Sequence, residues 1–258
     1  MNYLEYDYNF ISSLKKVKII FLIVAMESEE KAILGEGTFS EKTLGKRIKI
    51  RVKELKTANR KIIIGRSGVG LVNAGILLNL AAESYPLDAV VLLGVGGALD
   101  ERLQPGDTVV SNKIIQHDSI SSHEDGDHLI APGELTLSAP QNEQVDPVMR
   151  CDEKLKNWIK SLLLPSTGKV YEGTILSGSE FVANSLRKKD LRKLDKDALL
   201  VDMESAALAQ IARKLKLPFV AAKTVADRAN PKKSISEDYK AFLSAASEHG
   251  RHVIRGLK

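Results

Sequence analysis

Acidic residues stand at the ends of three separate apolar segments of the sequence. Glu29 follows the first strongly apolar run, Asp202 and Glu204 follow a second, and Asp227 follows a third. In an open α/β sheet, ligands bind beyond the carboxyl ends of the strands, so these acids could meet in one crevice. Carboxyl groups gathered in that way can transfer protons to and from a substrate.

The same acids have a structural interpretation. A carboxylate at the start of a helix accepts backbone N–H groups and stabilises the helix by about 0.5–2 kcal/mol. Any one of the acids is readily explained as such a cap. We favour a shared crevice for the three groups together, because Met203 and Val225 place the acids close to apolar strand ends.

Two glycine clusters, at 67–74 and 94–98, also follow predicted strands. Glycine lets backbone N–H groups approach a ligand closely, but each cluster is equally explained as a tight turn between a strand and a helix. Neither has the spacing of a dinucleotide-binding or phosphate-binding loop. The clusters alone therefore identify no ligand.

Short β-branched runs that alternate with helical periodicity must position these residues. The predicted strands are 17–25, 47–55, 60–66, 88–95, 106–115, 169–177, 198–203 and 217–223, and the predicted helices are 70–84, 149–163, 180–197, 204–216 and 235–256. Ser234 and Glu237 predict a capping box for the last helix. This order predicts an α/β fold with a largely parallel sheet, and we expect one domain because no linker or repeat divides the chain.

Composition excludes several classes of protein. The chain has 258 residues, 43% of them hydrophobic, and a net charge of +5. These values are typical of a soluble globular protein, and the basic residues form no nucleic-acid-binding motif. The single cysteine, Cys151, excludes an internal disulfide and favours a cytoplasmic location.

The N-terminus predicts an extension followed by a buried strand. Residues 1–16 are polar and aromatic, whereas 17–25 is an apolar run that is too short to span a bilayer, which needs about 20 residues. It also lacks the features of a signal peptide. We expect residues 1–16 to lie outside a domain at 17–258, and we expect no membrane association.

The longest non-periodic stretch is 118–147, which contains His123, His128 and several acids. Such a set could bind a metal, but we favour a solvated loop because no predicted helix or strand holds the side chains in one geometry. A substrate-contacting role for the loop stays open. Arg66 could bind an anion, although a lone arginine is more often a surface or ion-pair residue.

Eight segments in order resemble the nucleoside phosphorylase/nucleosidase superfamily, and most closely its 5′-methylthioadenosine/S-adenosylhomocysteine nucleosidases. They are AMESEE (25–30), SGVGLVNA (67–74), GVGGA (94–98), GDTVVS (106–111), HD (117–118), SGSEFV (177–182), VDMESA (201–206) and VAD (225–227). The resemblance covers about residues 17–250. It implies a three-layer sandwich in which a mostly parallel, mixed central sheet is flanked by helices.

The resemblance also implies roles for particular residues. Asp227 matches the acid that protonates the purine N7, Glu29 the carboxylate that activates water, and Glu204 the carboxylate that binds the ribose hydroxyls. Asp227 would then need a proton at neutral pH, held there by burial or by a neighbouring acid. The other substrate-binding positions that it implies are Met26, Val95, Gly96, Phe181, Val182, Asp202 and Met203.

The same resemblance favours water over phosphate as the nucleophile. Phosphorylases of the superfamily hold phosphate with arginines, one of which precedes the glycine cluster, whereas this chain has Leu92 and Leu93 there. Two departures from the nucleosidase pattern are Val95-Gly-Gly-Ala98, which lacks a hydroxyl near the ribose, and Asp202, where the pattern has a longer acid. The loop at 118–147 matches poorly, although it lies where the family builds the pocket for the 5′ group.

The expected substrate is a purine nucleoside, such as methylthioadenosine or S-adenosylhomocysteine; a bulkier 5′ group or a futalosine-like nucleoside would also suit the core acids. The resemblance implies a homodimer and no cofactor or metal. Two alternatives are a purine nucleoside phosphorylase and a nucleoside-binding or storage protein that lacks turnover.

Overall fold

The computed structural model describes residues 13–35, 39–133, 146–163, 168–229 and 235–258. The strands in it are β1 Ile19–Val24, β2 Ser40–Leu44, β3 Ile50–Lys56, β4 Lys61–Arg66, β5 Ala89–Ala98, β6 Thr108–Gln116, β7 Ile120–His123, β8 Gly126–Leu129, β9 Val148–Arg150, β10 Val170–Ser177, β11 Ala198–Asp202 and β12 Phe219–Asp227. The α-helices are α1 Glu27–Leu34, α2 Leu71–Ser84, α3 Glu153–Leu162, α4 Ser185–Arg192, α5 Ser205–Leu215 and α6 Ile235–Leu257. A short 3₁₀ helix at Leu14–Lys16 precedes β1.

One mixed sheet forms the centre of the molecule, with the strand order β11-β10-β6-β12-β5-β1-β4-β3-β2. Its central strands β12, β5, β1 and β4 are parallel. The strand β9 pairs with β6 outside this order, and the hairpin of β7 and β8 stands apart. Because the parallel strands end at the same edge, the segments that follow them lie side by side there.

The strand β11 also pairs with β5 in the antiparallel direction, which closes β5, β12, β6, β10 and β11 into a ring. This closure depends on a close approach of two backbones. A Cβ atom at Gly96 would lie 2.2 Å from a Leu200 side-chain carbon and 2.8 Å from the Val201 carbonyl oxygen. Glycine at 96 therefore allows β11, and the acids that follow it, to reach the end of β5.

Helices cover both faces of the sheet. On β1, Phe21 and Ile23 face the apolar cluster that includes α2 and α5, whereas Leu22 and Val24 face the one that includes α1, α3 and α6. Alternate side chains of a strand point to opposite faces, which is why nearly every residue of β1 is apolar and buried. A smaller third cluster joins α4 to β10 and β11.

The predicted fold class is confirmed: the chain is a single α/β domain with a mixed central sheet flanked by helices. The sheet is less parallel than expected, since β2 and β3 are antiparallel and β6 runs against β12. None of the described helices combines the length and the apolar composition that a bilayer span requires.

Several predicted boundaries were wrong. The prediction missed α1 and β2, and the segment 94–98, expected to follow a strand, is the end of β5. The expected helix at 180–197 is only the eight residues of α4, because the segment before it forms part of the site. The stretch 118–147, predicted as a loop, contains the hairpin of β7 and β8.

Two expectations are not tested. Residues 1–12 and the Ser234 of the proposed capping box lie outside the described residues, so the boundary at residue 17 stays a prediction.

Candidate active site

A cavity of about 280 Å³ opens at the carboxyl ends of β1, β5, β11 and β12. All ten residues that the sequence assigned to catalysis or substrate binding line it: Met26, Glu29, Val95, Gly96, Phe181, Val182, Asp202, Met203, Glu204 and Asp227. The three groups of acids, far apart in sequence, therefore share one crevice.

Glu29 lies in the first turn of α1, and backbone donors hold both of its oxygens. Oε2 accepts the N–H groups of Ala25 at 2.9 Å and Met26 at 2.8 Å, and Oε1 accepts the N–H of Val95 at 3.0 Å. Glu29 thus accepts a backbone N–H at the start of the helix and also lines the cavity. Burial raises the pKa of Glu29, and the nearby Lys223 ammonium and the backbone N–H donors oppose this only in part.

Asp202 and Glu204 are gathered around Lys223, a fully buried lysine in β12. The Lys223 Nζ lies 3.0 Å from Asp202 Oδ2 and 3.0 Å from Glu204 Oε2. Burial by itself would lower the pKa of Lys223, but attraction to Asp202, Glu204 and Glu29 outweighs it and raises the pKa. The Lys223 ammonium therefore provides the counter-charge for the acids around it.

The remaining oxygens of these two acids are also occupied. Glu204 Oε1 accepts the N–H of Gly70 at 3.1 Å, at the start of α2. Asp202 Oδ2 accepts the Ser205 hydroxyl at 2.6 Å, and its Oδ1 accepts the Ser205 N–H at 3.2 Å. The glycine cluster at 67–74 thus contributes a backbone donor that fixes an acid of the site.

Asp227, at the end of β12, has a different environment. Its Oδ1 accepts the N–H of Ala98 at 3.2 Å, and its Oδ2 accepts a hydrogen bond from Lys188 Nζ at 2.8 Å. Lys188 also donates to the carbonyl of Arg228 at 3.0 Å. The charged group bonded to Asp227 is thus a cation, whereas the sequence analysis considered only burial or a neighbouring acid.

Phe181 and Val182 belong to the segment between β10 and α4. The side chain of Phe181 is 77% exposed at the rim of the cavity, whereas Val182 is buried. Asp118 anchors this segment because its Oδ2 accepts the Ser179 N–H at 2.7 Å. Burial would raise the pKa of Asp118, but the donors Ser179 and Gln116 outweigh that effect and lower it.

Comparison with known proteins agrees with this geometry. The sequence model of the phosphorylase superfamily matches residues 19–257 of the chain. The chain belongs to the phosphorylase superfamily. The resemblance found in the sequence is thereby confirmed.

Relatives within this superfamily cover nearly the whole chain. A 5′-methylthioadenosine/S-adenosylhomocysteine nucleosidase of Staphylococcus aureus is 29% identical over 93% of this chain and 98% of its own length. The structure of the corresponding nucleosidase of Neisseria meningitidis, in complex with methylthio-immucillin-A, has a TM-score of 0.74 and 26% identity over 93% of this chain and 98% of that one. The futalosine hydrolase of Helicobacter pylori shares the fold, with a TM-score of 0.73 and 23% identity over 93% and 97% of the two chains.

The charges of the side chains that line the cavity indicate which nucleophile it can accept. The described residues that line the cavity include five carboxyl side chains, Glu29, Glu180, Asp202, Glu204 and Asp227, and no lysine or arginine. Such a lining would repel a phosphate dianion but would accept water. Arg66 is not in the lining; it forms ion pairs with Glu27 at 3.5 Å and Glu30 at 3.4 Å.

The sequence analysis missed two buried lysines that are bonded to the acids of the cavity, Lys188 and Lys223. A signal existed for Lys223, since it is the only charged residue in the apolar run of 219–226. Lys188 carried no such signal, because it stands in a basic segment that includes Arg187 and Lys189.

The two histidines of the 118–147 stretch do not line the cavity. His123 and His128 are on the exposed hairpin of β7 and β8, with ring centres 5.5 Å apart. No group of three or more His, Cys, Asp or Glu side chains in the described part of the chain is arranged to hold a metal.

Proposed function

We propose that this chain hydrolyses the N-glycosidic bond of a purine nucleoside, and that its substrates are 5′-substituted adenosines. The observation that carries the proposal is the meeting of Glu29, Glu204 and Asp227 in one cavity whose described lining residues include no lysine or arginine. Cleavage of this bond builds positive charge on the ribose and negative charge on the purine, so an acid lining suits the sugar and a proton donor suits the base.

Glu29 is the proposed base that activates water. Its raised pKa makes the carboxylate a better proton acceptor than an ordinary glutamate, and its position is fixed by three backbone donors. Both oxygens retain lone pairs, because a carboxylate has about four acceptor sites. A water molecule between Glu29 and the sugar would lose its proton to this residue as the C1′–N9 bond breaks.

Glu204 is the proposed ligand of the ribose hydroxyls, and Met203 beside it would pack against the sugar. Because Lys223 and Gly70 hold the two Glu204 oxygens, the carboxylate is preorganised before substrate binds. The shorter Asp202 has no need to reach the substrate. It is bonded to Ser205 and to Lys223, and it thereby helps to fix the lysine that holds Glu204.

Asp227 is the proposed donor to the purine N7. It lines the same cavity as Phe181 and Val182, which would contact the face and the edge of the base. Protonation at N7 lets the purine leave as a neutral base. This lowers the barrier to bond cleavage, since an unprotonated purine would depart with a full negative charge.

The 5′-substituted adenosine is supported by the relatives. The S. aureus relative is a 5′-methylthioadenosine/S-adenosylhomocysteine nucleosidase, and the N. meningitidis structure holds methylthio-immucillin-A. Both are similar to this chain over more than nine-tenths of its length. We therefore place methylthioadenosine and S-adenosylhomocysteine first among the substrates.

We also infer that a second copy of the chain covers the open side of the cavity. Phe181 and Val69 line the cavity and are 77% and 47% exposed, and Val72 on α2 is exposed as well. Exposed apolar side chains around a site are typical of a surface that packs against a partner. Sedimentation should show a dimer at micromolar concentration, and a monomer would contradict this inference.

The test of the activity is to incubate the purified protein with methylthioadenosine, with and without phosphate, and to measure free adenine. We expect adenine and methylthioribose in both conditions at the same rate. Adenine released only with phosphate would identify a phosphorylase. Tight binding without release would identify a nucleoside-binding protein.

A further inference from the structure

Lys188 connects the candidate active site with a second cavity. The side chain is 1% exposed, and its Nζ donates to Asp227 Oδ2 at 2.8 Å and to the Arg228 carbonyl at 3.0 Å. The same lysine also lines a second cavity, of about 400 Å³. Asp227 lines the substrate cavity, so one ion pair separates the two spaces.

The second cavity is open and has charged side chains in its lining. Its lining is Leu99, Glu101, Lys188, Lys189, Arg192, Lys193 and Ala229. Of the charged members, Glu101, Lys189 and Lys193 are exposed, whereas Arg192 is half-buried and paired with Asp100. Lys188 thus lies buried beside side chains that reach solvent, Glu101, Lys189 and Lys193.

The pairing bears on the source of the proton for the leaving group. Because Lys188 Nζ donates to Asp227 Oδ2 at 2.8 Å, this hydrogen bond is a direct path for a proton from the nitrogen to the carboxyl group. Lys188 is not needed merely to orient the Asp227 side chain, since the Ala98 N–H already holds the other Asp227 oxygen. The pair as a whole carries one transferable proton.

Building on the proposed nucleosidase activity, we propose that Lys188 is a proton relay residue, which supplies the proton that Asp227 passes to the departing purine. As the C1′–N9 bond breaks, its electron pair moves onto the purine; the Lys188 ammonium transfers a proton to the Asp227 carboxylate, and the resulting carboxyl group passes that proton to N7. Lys188 becomes a neutral amine and Asp227 is again a carboxylate. Water adds to C1′ and gives its proton to Glu29, and both Lys188 and Glu29 then re-equilibrate with solvent.

The test compares two leaving groups in Lys188→Met and Lys188→Arg. Methionine removes the charge and the proton, whereas arginine keeps the charge but does not release a proton. With methylthioadenosine, we expect both variants to lose about 100-fold or more in kcat, the usual range for a lost proton transfer. With the 4-nitrophenyl glycoside of 5-methylthioribose, whose leaving group needs no proton, we expect a change of less than about 3-fold.

Either of two results would overturn the relay. Near wild-type activity of Lys188→Arg on methylthioadenosine would make Lys188 a positioning residue only. Equal losses on both substrates would indicate a distorted site. The control is Lys196→Met, an exposed lysine after α4, which should retain full activity on both substrates.

A double variant guards against misfolding. Lys188→Met leaves the Asp227 carboxylate unpaired, whereas Lys188→Met combined with Asp227→Asn removes both charges. If the two residues act as one relay, this double variant should be no slower on methylthioadenosine than Asp227→Asn alone, and a further loss of 10-fold or more (about one tenfold step) would contradict the relay. Wild-type protein that released neither adenine nor nitrophenol would refute the nucleosidase activity itself, and the role of Lys188 with it.

Discussion

The two ends of the cavity each rest on a buried lysine, but the lysines are connected differently. Lys223, beneath the sugar end, is bonded to two acids, has Glu29 nearby, and lies within the core. Lys188, at the proposed base end, is bonded to one acid and borders a second cavity. We therefore propose different roles for the two lysines, a fixed counter-charge for Lys223 and a proton relay for Lys188.

The chemistry proposed for each end requires this difference. At the sugar end, positive charge develops on the ribose, and acids held rigidly by a fixed counter-charge stabilise it without rearrangement. At the base end, a proton must leave the protein in every turnover and be replaced. A lysine sealed like Lys223 is a poor source of such a proton, because the attraction of three acids raises its pKa.

The largest expected effect is at the base end. Asp227→Asn removes the group that passes the proton to N7, so we expect kcat for methylthioadenosine to fall by about 10²–10⁴-fold. Adenine release measures the loss; the melting temperature should also fall, because the variant leaves the buried Lys188 without its counter-charge, and circular dichroism at the assay temperature should show that the variant stays folded. A variant that turned over at the wild-type rate would contradict the assignment of Asp227 as the proton donor.

At the sugar end, Lys223→Met should act on stability. Removing the cation leaves Asp202, Glu204 and Glu29 buried without their counter-charge, and breaking a buried pair in this way costs about 3–5 kcal/mol. Urea unfolding measures the change in the free energy of unfolding. Lys223→Arg, which keeps the charge, is the matched control and should be destabilised much less; equal losses in both variants would point to packing instead of charge.

The sequence predicted the convergence of the acids because it depends on topology alone. Strand ends in a parallel sheet share an edge, and Glu29, Glu204 and Asp227 all follow apolar strands. The ion pairs were not predictable in this way. The partner of Asp227 stands 39 residues earlier in a helix, between two exposed basic residues, Arg187 and Lys189, so only the packing of α4 distinguishes Lys188 from these neighbours.

The missed elements have physical explanations of the same kind. The strand β2 has the sequence SEKTL, and four of its five residues are exposed because it lies at the edge of the sheet. An edge strand of this type shows no alternation of apolar residues. The helix α1 begins with three acids, which the sequence analysis considered one at a time as caps or ligands, and its apolar face is only a few residues long.

Glu204→Gln should have an intermediate effect at the sugar end. Glutamine keeps one oxygen but loses the charge that strengthens hydrogen bonds to the ribose hydroxyls, and one charged hydrogen bond contributes about 1.5–3 kcal/mol. We expect binding of a non-hydrolysable methylthioadenosine analogue to weaken by about 10- to 100-fold. Calorimetry measures this affinity, and an unchanged value would count against contact with the ribose.

The pH dependence of kcat/KM should report the ionisation of Glu29. Glu29 must be ionised to accept a proton, and burial raises its pKa, so protonation begins at a higher pH than for an ordinary glutamate. We therefore expect kcat/KM to fall on acidification with an apparent pKa above 4.5, the ordinary value for this group. An acid limb at or below that value would argue against Glu29 as the base.

The smallest expected effect is at the exposed rim of the base end. Phe181→Ala removes a ring that would stack on the purine, and such stacking contributes about 1–3 kcal/mol per base. Because Phe181 is largely exposed in the single chain, we expect the lower end of that range, about a 5-fold increase in KM with little change in kcat. Initial rates with methylthioadenosine separate the two constants. A much larger loss would mean that Phe181 is covered when substrate is bound, as it would be if a second copy of the chain closed the cavity, whereas an unchanged KM would remove Phe181 from the site.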